Sequence, residues 1–349
     1  MRRRLIKTAV AAGRLLLIAV LALQLAGCAL PARSAPDAAP QAPVWPAPPQ
    51  PARIRWIKEI KGPEDHGISQ GFWKRVSATL SGLRQEPIRK PYGVHADERG
   101  RLIVVDSGAG VVHILDPQAN QYRLLGPEQG LRFVAPIGVT EDDHGNLYVT
   151  DAGAGVIYRY RFSDRSFARF SPFKLKRPTG IAFSKKQQVL FVSDTTAHQV
   201  VVYDLAGQEL RRIGSRGTGD ARFNYPTDLF VDRQGQLYVT DALNQRIQIL
   251  TPEGQLLAQF GEGGDSTGYL PKPKGVAVDS RGHIYVCDAL LDAVQIFDSS
   301  GQLLLFFGGT GNRPGEFWMP TGIDIDGNDN IYVSDSFNRR IQVFRYVGD

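Results

Sequence analysis

The apolar positions of this chain fall into short runs that end in aspartate. Each run is rich in β-branched and aromatic residues and is bounded by Gly, Pro, Asn or Asp, which predicts a β-strand. Six such runs occur, at Leu102–Asp106, Leu147–Asp151, Leu190–Asp194, Leu237–Asp241, Ile284–Asp288 and Ile331–Asp335. Their aspartates are 45, 43, 47, 47 and 47 residues apart. This nearly constant period predicts a repeat array whose unit consists of strands.

Three further strands accompany each of these runs. An opening strand begins with Pro-x-Gly in most repeats, as at Pro91, Tyr92 and Gly93. A third and a fourth strand follow, such as Arg246–Leu250 and Leu256–Phe260, joined by a turn with Gly. Four strands per repeat at this period are typical of a propeller blade. We therefore predict an all-β fold of four-stranded antiparallel blades.

The two ends of the array predict how the ring closes. The last repeat has only three strands before the chain stops at Asp349. Upstream of the first complete repeat lies one unassigned strand, Arg53–Ile60, which resembles the fourth strand Leu303–Phe307. If Arg53–Ile60 pairs with the last blade, two open sheet edges disappear. We predict a six-bladed β-propeller over residues 52–349.

One segment interrupts the strand pattern. Within Ile68–Leu83, the residues Phe72, Trp73 and Val76 follow a spacing of three to four, which predicts a short amphipathic helix at residues 68–83. It lies between the closing strand and the first blade. A lid packed on the ring and a docking surface for a partner are both consistent with this pattern.

Two loop segments resemble the NHL repeat. They are Asp241–Gln248 and Asp335–Gln342, with the pattern Asp-x-x-Asn-x-Arg. The resemblance extends over about Arg53–Asp349 and implies a propeller, but this scaffold carries unrelated activities. Asp106–Val111 and Asp151–Val156 lack the Asn and the Arg, so a role of these two residues is not expected in every blade.

The N-terminal segment predicts export and lipid attachment. Residues 1–27 start with several Arg and continue into the apolar stretch Leu15–Leu25, which is too short for an ordinary membrane span. The stretch ends at Leu25-Ala26-Gly27-Cys28, which resembles the lipobox of bacterial lipoproteins. The resemblance implies cleavage of a signal peptide of residues 1–27 and lipid modification of Cys28. An ordinary signal peptide or an uncleaved anchor is the alternative.

Residues 28–51 are predicted to be a tether between the lipid and the propeller. Eight prolines lie between Pro31 and Pro51, mixed with Ala and Gln, and such a segment favours an extended polyproline conformation. The expected location is the bacterial cell envelope. In a Gram-negative cell, the Ala29 that follows the Cys in place of Asp would predict the periplasmic face of the outer membrane.

Charge argues against a nucleic-acid partner. The whole chain has 41 basic and 35 acidic residues. The segment 1–27 contains five of the basic residues and none of the acidic ones, so the rest of the chain is nearly neutral. Some NHL proteins bind RNA, but a nearly neutral envelope protein lacks the electrostatic signature. The expected partners are the membrane, through Cys28, and an envelope protein.

The sequence gives little evidence of catalysis. The six strand-ending aspartates obey the repeat, whereas a catalytic group should break it, so we assign them to structural hydrogen bonds. Asp324–Asn330 has its Gly at the wrong place for a calcium loop and is predicted to be a hairpin turn. Cys287 is predicted to be a buried small residue rather than a nucleophile.

Histidine provides the strongest argument for an enzyme. The segment Asp194–Val200 resembles part of the peptide-amidating lyase domain, a six-bladed zinc enzyme, but the counterparts of His198 in other blades are Gly110, Gly155, Gln245, Asp292 and Arg339. His95 could face the channel opposite Asp324, at the matching site of blade 6. Because zinc needs three or four ligands, we predict no metal, no cofactor and no catalytic residue.

A binding site is predicted at one mouth of the central channel. The residues at and beside the first-strand Gly vary between blades, and loops on a rigid scaffold are where binding concentrates. Tyr92, Asp228 and Lys274 are the candidate contacts, with Asp228 standing where other blades have Gly. The predicted function is a lipid-anchored extracytoplasmic binding or scaffold protein. The alternative is a metal-dependent lyase or lactonase-like enzyme acting in the channel.

Overall fold

The computed structural model describes residues 42–69, 87–127, 130 and 132–348. The first two strands are β1 (Val44–Trp45) and β2 (Ile54–Ile60). Blade 1 contains β3 (Pro91–Ala96), β4 (Leu102–Asp106), β5 (Val111–Asp116) and β6 (Gln121–Leu125). Blade 2 contains β7 (Pro136–Glu141), β8 (Asn146–Asp151), β9 (Val156–Arg161) and β10 (Phe167–Arg169). Blade 3 contains β11 (Pro178–Ser184), β12 (Val189–Asp194), β13 (Gln199–Asp204) and β14 (Glu209–Ile213).

The second half of the ring repeats this organisation. Blade 4 contains β15 (Pro226–Val231), β16 (Leu237–Asp241), β17 (Arg246–Leu250) and β18 (Leu256–Phe260). Blade 5 contains β19 (Pro273–Val278), β20 (Ile284–Asp288), β21 (Ala293–Phe297) and β22 (Leu303–Gly308). Blade 6 contains β23 (Pro320–Ile325), β24 (Asn330–Asp335) and β25 (Arg340–Tyr346). Within each blade, strands that are consecutive in sequence pair antiparallel, which confirms the predicted all-β fold with six blades.

The ring closes as the sequence predicts. Strand β2 pairs antiparallel with β25, and Ile60 faces Ile341 while Trp56 faces Phe344. The Trp56 indole N–H also donates to Gln342 Oε1 at 3.0 Å. Blade 6 therefore takes its fourth strand from the N-terminal side of the propeller, which removes the two edges that an open array would expose.

Strand β1 lies inside the stretch that was predicted to be tether. Val44 and Trp45 pair with β2 and add a fifth strand to the closing sheet. The Trp45 ring lies 5.7 Å from the Phe307 ring and 5.9 Å from the Phe344 ring, measured between centroids. The packed part of the chain thus begins before residue 52, because an aromatic side chain fills the space between the last two blades.

Several sequence predictions fall outside the described residues. They include the signal segment 1–27, Cys28, the tether up to residue 41 and most of the helix predicted at 68–83. Of that helix only Ile68 and Ser69 are described; neither is helical, and Ile68 is buried against blades 1 and 6. In the part of the chain that the structure describes, no helix has the length and apolarity needed to cross a membrane.

The Pro-x-Gly pattern allows the inner strands to approach one another closely. A Cβ at Gly93 would lie 2.4 Å from the Ile137 carbonyl oxygen of the next blade, and one at Gly322 would lie 2.2 Å from that of Tyr92. Gly is therefore required at these places by space. Blade 4 has Asp228 at the equivalent position, which makes this blade different from the other five.

The repeated aspartates are structural, as predicted. Asp106 accepts hydrogen bonds from the backbone N–H groups of Arg89, Lys90, Gly108 and Ala109 at 2.6–3.0 Å. The carboxylate thereby joins the loop after the second strand to the connection that enters the blade. In blade 6, Asp335 also accepts from Arg340 Nε at 2.8 Å and from Asn338, so the NHL-like Asn and Arg extend the same network.

Candidate functional site

The six inner strands surround a central channel that contains two adjoining cavities. The narrower cavity, of about 260 Å³, lies where the inner strands begin. The wider one, of about 620 Å³, opens between the turns at the other end of the channel. His95, Glu141, Phe183 and Phe230 line both, so these residues mark the level at which the two cavities meet.

The three predicted binding residues all line the narrower cavity. Tyr92, Asp228 and Lys274 come from the inner strands of blades 1, 4 and 5. Burial, together with the nearby Asp228 carboxylate, raises the pKa of Tyr92 to about 12. The phenol is therefore a neutral hydrogen-bonding group near neutral pH. The structure brings the three side chains to one cavity, and their role in binding stays a prediction.

Asp228 is a carboxylate in an environment that disfavours its charge. Its Oδ2 accepts the backbone N–H of Val276 at 3.1 Å. Burial raises its pKa to about 7, and Asp324 adds to this increase, although hydrogen bonds from backbone N–H groups act in the opposite direction. A carboxyl group with this pKa exists in both protonation states near neutral pH, so it can donate or accept a hydrogen bond.

Lys274 lies in the same cavity but does not neutralise Asp228. Burial lowers the pKa of Lys274, Lys272 lowers it further, and the carboxylate that counteracts them is Asp288. The carboxylate that acts on Asp228 is Asp324. Within the described residues, the cavity thus contains an acidic and a basic group without a mutual ion pair, and a ligand could provide a partner for each.

His95 and Asp324 are in direct contact. His95 Nδ1 lies 2.9 Å from Asp324 Oδ2, and the same oxygen accepts the backbone N–H of Ala96 at 2.9 Å. The two residues thus lie side by side on the neighbouring blades 1 and 6 rather than across the channel. Burial opposes the charged form of His95 and acts to lower its pKa. The hydrogen bond to Asp324 and the negative charges of Asp324, Glu141 and Asp97 outweigh burial, so the pKa of His95 is raised.

A second charged cluster was missed by the sequence analysis. Glu141 lies beside the His95 pair, and its Oε1 accepts from Arg101 Nη2 at 2.6 Å. Arg101 also bonds Asp97 and lies with its guanidinium 4.2 Å from the centre of the Phe162 ring. Burial raises the pKa of Glu141 despite Arg101. The sequence could have indicated Glu141, because the equivalent positions in the other five inner strands hold residues that do not ionise: Ala96, Phe183, Val231, Val278 and Ile325.

The described residues contain no group of three or more His, Cys, Asp or Glu side chains arranged to hold a metal ion. The Asp326 carboxylate accepts the backbone N–H groups of Asn328 and Asn330 at 2.9 Å, which confirms the predicted hairpin turn. His198 Nδ1 accepts the N–H of Tyr225 at 3.2 Å. Cys287 is buried, as predicted.

Two family models match parts of the chain. Residues 149–262 match one described as SMP-30/Gluconolactonase/LRE-like region, and residues 275–348 match one described as 6-bladed beta-propeller. No curated protein gives a significant match. The two family matches agree with the six blades of the structure.

Solved structures with the same fold have diverse roles. Virginiamycin B lyase from Staphylococcus aureus is 14% identical over 74% of this chain and 95% of that chain, with a TM-score of 0.56. An auxiliary nutrient binding protein from Bacteroides thetaiotaomicron is 14% identical over 75% and 70% of the two chains, with a TM-score of 0.57. A protein of unknown function from the same organism is 16% identical, covers 84% and 75%, and has a TM-score of 0.59. At these identities the likeness shows the fold alone.

Proposed function

We propose that this protein is a lipid-anchored binding protein of the bacterial cell envelope that holds a small polar ligand in its channel. The observation that carries the proposal is the meeting of Tyr92, Asp228 and Lys274 in one cavity. Asp228 stands where the other five blades have Gly. At the position just before this one, Tyr92 is the only aromatic residue among the six blades and Lys274 is the only charged one. Side chains that break the symmetry of a repeat are free to serve a ligand rather than the fold.

The chemistry of the cavity indicates the class of ligand. It offers a phenol, a carboxyl group with a pKa of about 7 and an ammonium group. A hydrogen-bond donor or a cationic group of the ligand would pair with Asp228. An acceptor or an anionic group of the same molecule would pair with Lys274. The volume of about 260 Å³ is slightly below the usual range for ligand pockets, which favours a compact metabolite.

The envelope location rests on the N-terminal segment. Residues 1–27, with the basic start and the short apolar stretch before Cys28, support export and attachment of lipid to Cys28. We propose that the blades are of the NHL type, on the basis of Asn244, Arg246, Asn338 and Arg340. We also propose an envelope protein as a second partner, because the edge strands of blades 4 and 5 carry the exposed Leu257, Leu304 and Phe306.

A capture experiment tests the proposal. The protein purified from bacterial membranes is incubated with a small-molecule extract of the same cells, washed, denatured and analysed by mass spectrometry. The Tyr92→Phe, Asp228→Asn, Lys274→Met triple variant is compared with the control Lys174→Met, an exposed lysine outside the cavity. We expect a molecule retained by the wild type and the control at least tenfold more than by the triple variant. Equal retention by all three would contradict the proposal.

A metal-dependent lyase or lactonase-like enzyme is the second candidate. Two observations favour it: the match of residues 149–262 to the SMP-30/Gluconolactonase/LRE-like region and the contact of His95 with Asp324 at the cavity wall. A His with a carboxylate partner is suited to general acid–base catalysis. Metal analysis of the dialysed protein separates the two candidates. Stoichiometric zinc or calcium favours the enzyme, whereas a captured ligand without metal favours the binding protein.

A further inference from the structure

The two faces of the ring differ because of the strand order. The proline that opens each inner strand pairs with the aspartate that ends the second strand, as Pro91 does with Asp106 and Pro320 with Asp335. The connections that precede these prolines and the loops that follow these aspartates therefore lie on one face, called here the proline face. The turns between the first and the second strand of each blade form the opposite face, called the turn face.

Exposed apolar side chains are concentrated on the proline face. Six residues, called here the apolar collar, lie one or two positions before the prolines or two positions after the aspartates and are 38–69% exposed: Val134, Tyr225, Leu243, Leu290, Trp318 and Phe337. The other exposed large apolar residues of the described chain lie on outer strands, as Leu210 and Leu257 do, or elsewhere in the connections between blades. No turn-face turn in the described ranges contains one.

The collar is held in place by the backbone network of the loops. The Trp318 and Phe337 rings lie 5.4 Å apart, and the Phe337 N–H donates to the Trp318 carbonyl. Lys90 Nζ lies 5.0 Å from the centre of the Phe337 ring. Val134 packs on Gly153, where a Cβ would lie 2.5 Å from a Val134 methyl carbon. These side chains are thus presented outward on fixed loops.

Charge separates the two faces as well. The residue directly before the opening proline is Lys90, Arg177 or Lys272 in three blades and neutral in the other three. All three cations are exposed, whereas the strand-ending aspartates of the same face are buried. Carboxylates open five of the six turns on the turn face, and all but the buried Asp142 and Asp279 are partly exposed: Asp97, Asp142, Asp232, Asp279 and Asp326. The connections of this face also carry the exposed carboxylates of Asp220, Glu262 and Asp265, but exposed Lys and Arg outnumber them. The proline face therefore combines apolar side chains with positive charge.

The N-terminal segment limits how far this ring can be from a membrane. The chain reaches the described unit beside the connection that carries Trp318, where Pro43 and Trp45 contact Gly315. Only 13 residues lie between Cys28 and Ala42 in the sequence, which is a maximum of roughly 45 Å when fully extended. If Cys28 carries lipid, as proposed above, docking of the ring becomes an intramolecular event with a high effective concentration.

We propose that the apolar collar docks on an anionic lipid surface. Aromatic and aliphatic side chains insert at the interface between headgroups and acyl chains, and Lys and Arg are attracted to anionic lipids. The collar has members at blades 2, 4, 5 and 6, and this spread over one face matches a flat surface better than a compact protein epitope. In this orientation the wider cavity between the turns faces away from the membrane, and a ligand can reach the adjoining narrower cavity from that side.

Vesicle flotation tests the docking without the lipid anchor. Residues 42–349 form a compact unit that contains every described strand of the closed ring, so this part is used alone. It is mixed with vesicles of phosphatidylcholine, with or without about one third phosphatidylglycerol. The collar variant is Leu243→Ser, Leu290→Ser, and the matched control is Ile57→Ser, Leu210→Ser, whose two residues are 38% and 51% exposed on outer strands.

We expect the wild type and the control to float with the anionic vesicles, and the bound fraction to fall at least tenfold for the collar variant or in 0.5 M NaCl. Thermal melting checks that the variants are folded. As a second measurement, a lipid-attached quencher should reduce the Trp fluorescence of the wild type more than that of Trp318→Phe. Absence of binding to anionic vesicles, or equal loss in the control, would overturn the proposal. Cross-linking of the collar to an envelope protein, together with no binding to vesicles, would also overturn the proposal. Because no lipid anchor is present, these outcomes are independent of whether Cys28 is modified.

Discussion

Replacing Asp228 by Asn should stabilise the protein at alkaline pH. The carboxylate is half-buried in the channel and its pKa is raised to about 7 from an ordinary value of 3.8. A raised pKa means that the folded state prefers the protonated acid. The cost of ionising Asp228 in the folded state therefore grows as the pH rises above 3.8 and is complete above about 7. Asn has the same shape, can accept the Val276 N–H and bears no charge.

The size of the effect follows from the pKa. Between pH 5 and pH 7 the folded carboxyl group keeps a proton that the unfolded one has lost, and each pH unit in this interval is worth about 1.4 kcal/mol. This gives about 2–3 kcal/mol between pH 5 and pH 8, and water in the channel should reduce it to about 2 kcal/mol. The wild type should lose this stability over the interval, whereas the Asp228→Asn variant should not.

Urea unfolding at pH 5 and at pH 8 measures the difference. Asp220→Asn, on an exposed connection, is the control and should change the free energy of unfolding by less than about 0.5 kcal/mol at either pH. The reasoning is refuted if Asp228→Asn destabilises the protein at pH 8, because the carboxylate would then be stabilised by a cation. It is also refuted if wild type and variant show the same pH dependence.

Three further predictions concern the ring and its charged groups. Arg340→Met should reduce the free energy of unfolding by about 3–5 kcal/mol, because it leaves buried carboxylate and carbonyl groups without their donor, whereas Arg212→Met on the surface should change it by less than about 1 kcal/mol in urea unfolding. Trp45→Ala should cost about 3–5 kcal/mol in the same assay, because the ring is packed against the last two blades. Asp324→Asn should lower the raised pKa of His95, which NMR titration of the imidazole measures. Because the pKa of His95 is raised in the folded wild type, the wild type should lose stability as the pH rises from about 6.5 through that pKa. The variant should lose less stability over the same interval.

Each of these predictions can fail in a distinct way. An Arg340→Met protein as stable as Arg212→Met would show that the network is not important for blade 6. An unchanged free energy of unfolding in Trp45→Ala would mean that β1 is not part of the packed domain. An unchanged titration of His95 in Asp324→Asn would show that the 2.9 Å contact is not what raises its pKa.

The architecture could be predicted because every blade is fixed by the same hydrogen-bonding residue. An Asp at the end of the second strand collects backbone N–H groups from two loops, as Asp106 does, so it recurs with the period of the blade. The closing strand could be predicted because the last repeat lacked one. Strand β1 could not, because Trp45 stands in a proline-rich stretch and its partners Phe307 and Phe344 are about 260 residues or more away in the sequence.

The site was only partly visible in the sequence. Asp228 could be found because it replaces a repeated Gly. Glu141 and Arg101 were missed because their contact at 2.6 Å joins neighbouring blades, and a repeat pattern aligns blades without showing which side chains meet between them. The contact of His95 with Asp324 depends on the closure that makes blade 6 a neighbour of blade 1.

A crystal structure of the protein with its captured molecule tests the central claim most directly. The account predicts ligand density in the narrower cavity, within hydrogen-bond distance of the Asp228 carboxyl and the Lys274 ammonium group, with the Tyr92 hydroxyl nearby. Density for the molecule on the turn face or on the outer strands, with only solvent between these three side chains, would contradict it.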